Sequence, residues 1–246
     1  MINQPVCVVC DDFQKAWLEA VRQLMSSCWE VRNLVVQIRN PSLFDQTFHD
    51  RIESFAQAQG IMKPKHVAYT IFPHGLYQGG GSASKLFEAY NKPRGLFEKL
   101  QHLKPGWGTY FRRMTHYEGA EGVVNQLDNI ITAIAKRDNL CKAAYTVVIQ
   151  NPGRETVRPI GAPCLNYIAV QAESGQPGEP LTLGLLTVYR NHDFLERAYG
   201  NYWGLCNLVM FLAKEVGGSP GPLTCVSSHA YVAAKKRELK QLVGWS

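Results

Sequence analysis

The chain has 246 residues, of which 46% are hydrophobic and 19% charged, the proportions of an ordinary globular protein with enough length to bury a sizeable core. No apolar run reaches the roughly 18 residues that a membrane helix needs. Met1-Ile2-Asn3-Gln4-Pro5 lacks the basic start and apolar core of a signal peptide, so the expectation is a soluble, cytoplasmic protein without a membrane partner. The formal net charge of +6 suits an anionic ligand such as a nucleotide. RNA is compatible with that charge but is not predicted, because Lys and Arg are spread along the chain. The densest run, Lys235-Lys236-Arg237, reads as a solvated helix face. Seven cysteines, odd in number and scattered, do not form a disulfide framework and fit a reducing compartment.

In chain order, Val6 to Val9 reads as a short strand, and Asp11 or Asp12 caps a helix from Phe13 to Met25. In that helix Phe13, Trp17, Ala20, Val21 and Leu24 recur at helical spacing. Val31 to Ile38 is β-rich and is closed by Asn40-Pro41. Cys7 and Cys10 form a CxxC without a second pair or a nearby histidine, and are read as core cysteines rather than zinc ligands. Phe48 to Gln59 is an amphipathic helix that carries Glu53. Residues 60–106 are the least regular, with short helices at 84–90 and 95–102. Their Gly79-Gly80-Gly81-Ser82 piece lacks the spacing of a phosphate loop and is read as a mobile surface loop.

After Thr109-Tyr110-Phe111-Arg112-Arg113, a helix is predicted from Val123 to Ala135 and a strand from Ala143 to Ile149. Residues 153–162 form a loop into Cys164. Leu165 to Gln171 and Leu181 to Tyr189 make a hairpin with an enlarged turn. Trp203 to Val216 is a strongly apolar helix stopped by Gly217-Gly218 and Pro220, followed by a strand from Leu223 to Val226 and a helix from Val232 to Leu242. Strands clustered between helices, without regular βαβ alternation, favour a single α+β domain built on a mixed sheet.

The chemistry gathers in the last third of the chain. Gly161-Ala162-Pro163-Cys164 places one cysteine in front of an apolar run. Tyr189-Arg190-Asn191-His192-Asp193, Gly200-Asn201 and Ser227-Ser228-His229-Ala230-Tyr231 follow. A thiolate is a good nucleophile toward an electron-poor double bond, and a fixed cation lowers its pKa. The hairpin brings Arg190 toward Cys164. Taken alone, Cys164 reads as a buried small hydrophobe and His229 as a satisfied core histidine. Asp193 and Asn201 read equally well as caps, Asn201 directly preceding a helix.

The constellation Pro163-Cys164-Leu165, Arg190-x-x-Asp193, Asn201 eleven residues after the arginine, and His229-x-Tyr231 resembles the thymidylate synthase and pyrimidine nucleotide hydroxymethylase superfamily. The chain is most similar to the short archaeal-type branch. Ala16-Trp17-Leu18-Glu19 and Val31-Arg32-Asn33-Leu34-Val35-Val36 followed by Asn40-Pro41 extend the resemblance. Residues 60–106 interrupt it as an insertion or a divergent stretch.

The resemblance implies a sheet-to-sheet homodimer and a Cys164 that adds to C6 of a pyrimidine nucleotide. C5 then becomes nucleophilic toward a one-carbon unit carried by 5,10-methylenetetrahydrofolate, and the product is methyl or hydroxymethyl. It implies that Arg190 binds the phosphate and helps to ionise the thiol. Asn201 reads a uracil edge, His229 and Tyr231 hold the sugar, Asp193 meets the folate, and Tyr110 assists proton removal from C5. Glu53 is the candidate for the catalytic glutamate. Arg32, Asn191 and Lys142 complete the nucleotide-binding set. Lys142 stands in Leu140-Cys141-Lys142-Ala143-Ala144 where the family has an arginine pair, and Asn191 where it has a serine. The shielding tryptophan has no clear counterpart, with Trp107 nearby. Two alternatives stay open: a diverged member that binds a nucleotide or RNA without turnover, and an enzyme of modified-nucleotide or nucleoside-antibiotic synthesis that acts on a non-standard pyrimidine nucleotide.

Overall fold

A computed structural model describes residues 4–92, 108–136, 140–141, 143–155, 161–175 and 179–244. Lys142, Trp107 and the expected helix at 95–102 lie outside them. The chain forms one α+β domain around a mixed sheet. β1 (Val6–Cys10) and β2 (Glu30–Ile38) open it, β3 (Tyr117–Gly119) and β4 (Gly122–Val124) form a separate small ladder, and β5 (Thr146–Val148), β6 (Leu165–Glu173), β7 (Thr182–Tyr189), β8 (His192–Asp193) and β9 (Ser219–Tyr231) complete the large sheet. The order across it is β1-β2-β9-β7-β6-β5, with β8 beside β9.

Sequence and local chemistry account for most elements. α1 (Phe13–Ser26) starts where Asp12 accepts the Lys15 amide at 2.7 Å, and it buries Phe13, Trp17, Ala20, Val21 and Leu24 against the sheet. α2 (Gln46–Gln59) starts on Asp45 in the same way and ends at Gly60 in the left-handed region. The β6–β7 hairpin is antiparallel from Leu165↔Tyr189 to Glu173↔Thr182, as the two apolar runs predict.

Residues 60–92 hold more helix than the expected segment at 84–90, and Gly79 and Gly80 lie in a helix rather than a loop. The segment forms α3 (Pro64–Ile71), α4 (His74–Gly80) and α5 (Ala83–Asn91), and Ile71, Phe72, Leu86 and Tyr90 are fully buried. The glycines and proline here act as punctuation: Pro64 opens α3, Gly81 closes α4 at φ 73°, and Ser82 caps α5. α3 packs tightly on the apolar helix α8 (Ala198–Glu215). A Cβ on Gly200 would come within 2.5 Å of Val67 Cβ, and one on Gly204 within 2.8 Å of the Ala68 carbonyl.

Other boundaries shift. α6 spans Tyr110–Thr115. Val123 and Val124 pair in β4, and α7 (Gln126–Lys136) begins after them. β9 runs thirteen residues because its proline-containing start pairs with β7 across an irregularity between Leu183 and Leu185, where a ladder tolerates missing N–H donors. α9 (Lys236–Val243) starts four residues later than expected. The core-cysteine reading fails for Cys7, which is exposed and points away from the helix-covered face, whereas Cys10 is half-buried and packs against the core. Among the described residues no group of His, Cys, Asp or Glu could hold a metal ion, and no helix is long and apolar enough to cross a membrane.

One face of the sheet carries the helices. On the other, a row of apolar residues crosses all six principal strands in register: Cys7, Val35, Val226, Val188, Tyr167 and Val148.

Candidate active site

Sheet topology gathers the sequence constellation at one end of the sheet. Cys164 immediately precedes β6 and Arg190 immediately follows β7; the Arg190 amide donates to the Cys164 carbonyl at 2.9 Å, closing the hairpin. β9 runs parallel to β7 with Tyr189 opposite Ser227, then continues past it to His229 and Tyr231. β8 lies against that extension, pairing His192 with Ala230 and Asp193 with Tyr231. β2 brings Arg32 opposite His229.

The approach to Cys164 is held by a cation. Arg190 donates from Nε to the Pro163 carbonyl at 3.1 Å and from Nη2 to the Ala162 carbonyl at 3.3 Å. A planar guanidinium grips two successive carbonyls in a way an ammonium cannot. Tyr110, at the start of α6, is buried below, and its hydroxyl accepts the Leu165 amide at 3.5 Å, next to Cys164 in the chain. Burial also pushes the Tyr110 hydroxyl pKa upward.

Cys164 is half-buried. Burial raises its pKa; Arg190 and then Arg197 pull it down, Asp193 pushes it up, and the sum stays above the ordinary value. Arg190 therefore acts on the thiol in the expected direction, but desolvation outweighs it, and the unliganded thiol is a poorer acid than an exposed cysteine. Arg197, which the sequence reading did not single out, precedes α8 and donates to Met62 Sδ at 3.0 Å.

Asn201 is not a cap. It lies inside α8, its amide bonded to the Arg197 carbonyl at 2.8 Å, and its side chain is buried. Its Nδ2 lies 3.0 Å from His192 Nε2, and His192 Nδ1 lies 2.9 Å from Ser227 Oγ. Asp193 caps the turn at 194–197 rather than α8 itself: Oδ1 accepts from the Leu195 amide at 2.8 Å and the Glu196 amide at 3.2 Å, which fixes the carboxylate ahead of the helix.

His229 sits between two acceptors, Asn191 Oδ1 at 2.7 Å from Nδ1 and Glu30 Oε1 at 3.1 Å from Nε2, and stacks on Tyr231 with ring centroids 5.1 Å apart. Burial and Asp193 raise the Tyr231 pKa, and a hydrogen bond with Asn191 opposes them. Arg32 is solvent-exposed and pairs with Glu30 at 3.9 Å, at the rim of this cluster.

Glu53, the candidate catalytic glutamate, is half-buried. On α2 it lies 3.9 Å from His49 Nε2, in an open depression of about 440 Å³ with Gln46, Lys65 and Trp203. Its Oε1 is buried with no hydrogen-bond partner. Asp193 is a carboxylate whose charge raises the Cys164 pKa.

His192, Ser227 and Arg197 are the site residues that sequence reasoning missed. His192 stood inside a quoted motif, but only the fold reveals that it bridges α8 and β9. A further pair, Arg113 with Glu155, ties α6 to the segment leading toward Cys164; Glu155 also accepts the Asn151 amide at 2.8 Å.

Fold and site together describe an α+β protein with a half-buried cysteine at a sheet end, flanked by arginines, a buried amide and a His/Tyr pair. No family model matches the chain. Over 124 residues, 50% of the chain, it is 27% identical to candidate thymidylate synthases of Methanosarcina barkeri, Methanosarcina mazei and Methanococcoides burtonii. The match covers 52% of each relative, so the chain spans about half the length of the curated relatives it matches. Over that half it is similar to thymidylate synthase-like proteins.

Proposed function

We propose that the protein transfers a one-carbon unit to C5 of a uracil nucleotide through a covalent adduct on Cys164. The observation that carries this reading is the convergence of Cys164, Arg190, Asp193, Asn201, His229 and Tyr231 at one end of the sheet. Cys164 adds to C6 of the ring, and the electrons of the C5–C6 double bond move toward C4–O4, making C5 nucleophilic. Thiolate formation accompanies nucleotide binding, since the unliganded thiol pKa is raised. Arg190 orients the Cys164 approach and faces the phosphate. Asn201 reads the uracil edge, and His229 with Tyr231 holds the sugar. Asn191, Arg32 and Lys142 complete the nucleotide contacts. Tyr110 assists removal of the C5 proton, with Glu53 as the candidate general base.

The fixed carboxylate of Asp193 is an acceptor suited to the N–H groups of a pterin, so it fits the role of holding 5,10-methylenetetrahydrofolate. When bound, that cofactor supplies the one-carbon unit.

The apolar row across the uncovered sheet face supports a sheet-to-sheet homodimer. Sedimentation is then expected to give a mass of about 55 kDa, twice the 27.6 kDa of one chain. A concentration-independent monomer would remove this part of the reading.

Intact-mass spectrometry with 5-fluoro-dUMP and methylenetetrahydrofolate tests the chemistry. A covalent adduct is expected in the native protein and none in Cys164→Ser. One observation favours a second reading, a nucleotide binder without turnover: burial leaves the Cys164 thiol with a raised pKa despite its neighbouring arginines. Tight nucleotide binding without any adduct would select that reading.

A further inference from the structure

His192 is fully buried, and the chemistry proposed above does not use it. It lies flat against Tyr189, ring centroids 4.1 Å apart and planes 3° from parallel, with the Tyr202 ring edge-on at 5.6 Å. The ring is therefore fixed in place, and both of its nitrogens have partners, Asn201 and Ser227.

The donors and acceptors define one proton arrangement. An amide nitrogen only donates, so His192 Nε2, 3.0 Å from Asn201 Nδ2, must be the acceptor. A neutral ring then carries its proton on Nδ1, directed at Ser227 Oγ. Ser227 is also hydrogen-bonded to the buried thiol of Cys225. A hydroxyl that turns its hydrogen to sulfur presents lone pairs to the imidazole. Desolvation lowers the His192 pKa to about 3, which keeps Nε2 bare at neutral pH.

An unconstrained asparagine reads either pyrimidine. In one flip its N–H donates to O4 and its carbonyl accepts N3–H of uracil. In the other its carbonyl accepts from N4 and its N–H donates to N3 of cytosine. We propose that His192 is a specificity-determining positioning residue, whose Nε2 holds the Asn201 carboxamide in one flip and so makes the site discriminate between uracil and cytosine. This inference rests on the reading that Asn201 faces the base.

Calorimetric titration with dUMP and dCMP tests it. The native protein is expected to favour one of them roughly tenfold or more, the range of a bidentate base contact. His192→Phe, which has no acceptor, should bring the two affinities within about threefold, and His192→Gln, which retains an acceptor carbonyl, should preserve the preference. Discrimination retained in His192→Phe, or lost equally in both variants, overturns the proposal.

If His192→Phe does not fold, Ser227→Ala serves in its place: it releases Nδ1 and should erode the same preference without touching Asn201. Nitrogen-15 NMR of histidine-labelled, unliganded protein reads the lock directly and should show the Nδ1–H tautomer alone at neutral pH. A proton on Nε2 overturns the lock whether or not a nucleotide binds. A native protein that binds neither nucleotide, yet shows the Nδ1–H tautomer and mixed tautomers in Ser227→Ala, counts against the proposed function and supports the lock.

Discussion

Replacing Arg190 by methionine is expected to lower turnover by about 10² to 10⁴-fold, the equivalent of two charge-assisted hydrogen bonds at roughly 1.5–3 kcal/mol each. Arg190 grips the carbonyls of Ala162 and Pro163 at 3.3 and 3.1 Å and is the strongest of the groups that favour the Cys164 thiolate. The substitution removes the grip and the charge together. A second consequence can be measured without any nucleotide. The native thiol already has a raised pKa because burial outweighs the arginines. Without Arg190 the pKa rises further, so the pH-rate profile for alkylation by iodoacetamide moves to higher pH. Arg190→Lys separates the two effects. An ammonium keeps the charge but cannot fork onto two carbonyls, so alkylation should stay closer to native while turnover remains impaired. Alkylation profiles that superimpose in all three proteins would show that Arg190 does not act on the thiol.

The hairpin that places Arg190 beside Cys164 was legible because it depends on local pattern. Two apolar runs with β-rich composition flank a Gly-Pro turn, and strand register then follows from which faces are buried. Asp12, Gly60 and Gly217 likewise mark element ends through short-range chemistry that a sequence displays. The helix at 84–90 was legible within residues 60–92, but α3 and α4 were missed for a related reason. Gly79, Gly80, Gly81 and Pro64 signal interruption, but interruption between short helices looks like a loop until the packing on α8 is known.

The arrangement around Asn201 was not legible because it is entirely long-range. His192 is nine residues away, and Ser227 is thirty-five residues beyond His192; α8 and β9 come together only in the folded sheet. Glu53 shows the same gap. Helical periodicity placed it on an amphipathic helix but not which cavity that helix borders. It borders the depression with His49 and Trp203. The hairpin pattern thus placed Arg190 beside Cys164, while the position of Asn201 and the groups that orient it emerge only in the fold.

Acidification is expected to destabilise the native protein through His192 more than through His49, His74 or His116. Burial alone holds the folded-state pKa at about 3, against about 6.5 in the unfolded chain. Between those values the unfolded chain binds a proton that the folded chain does not, so stability rises with pH across that window. The contribution is complete above about pH 6.5 and is lost progressively toward about pH 3, amounting in full to on the order of 4–5 kcal/mol. That is a large share of the roughly 5–15 kcal/mol that a domain possesses. His49, His74 and His116 also have pKa values lowered chiefly by burial, so they contribute with the same sign. His192→Gln removes the titrating ring and retains polar atoms for Asn201 and Ser227. Its stability, from urea unfolding at about pH 7 and about pH 4.5, should fall less than the native protein's by about 2–3 kcal/mol. Equal losses in the two proteins would mean that His192 takes up its proton as readily in the folded state as in the unfolded one. The expected acid sensitivity and the proposed orientation of the amide thus rest on the same buried imidazole.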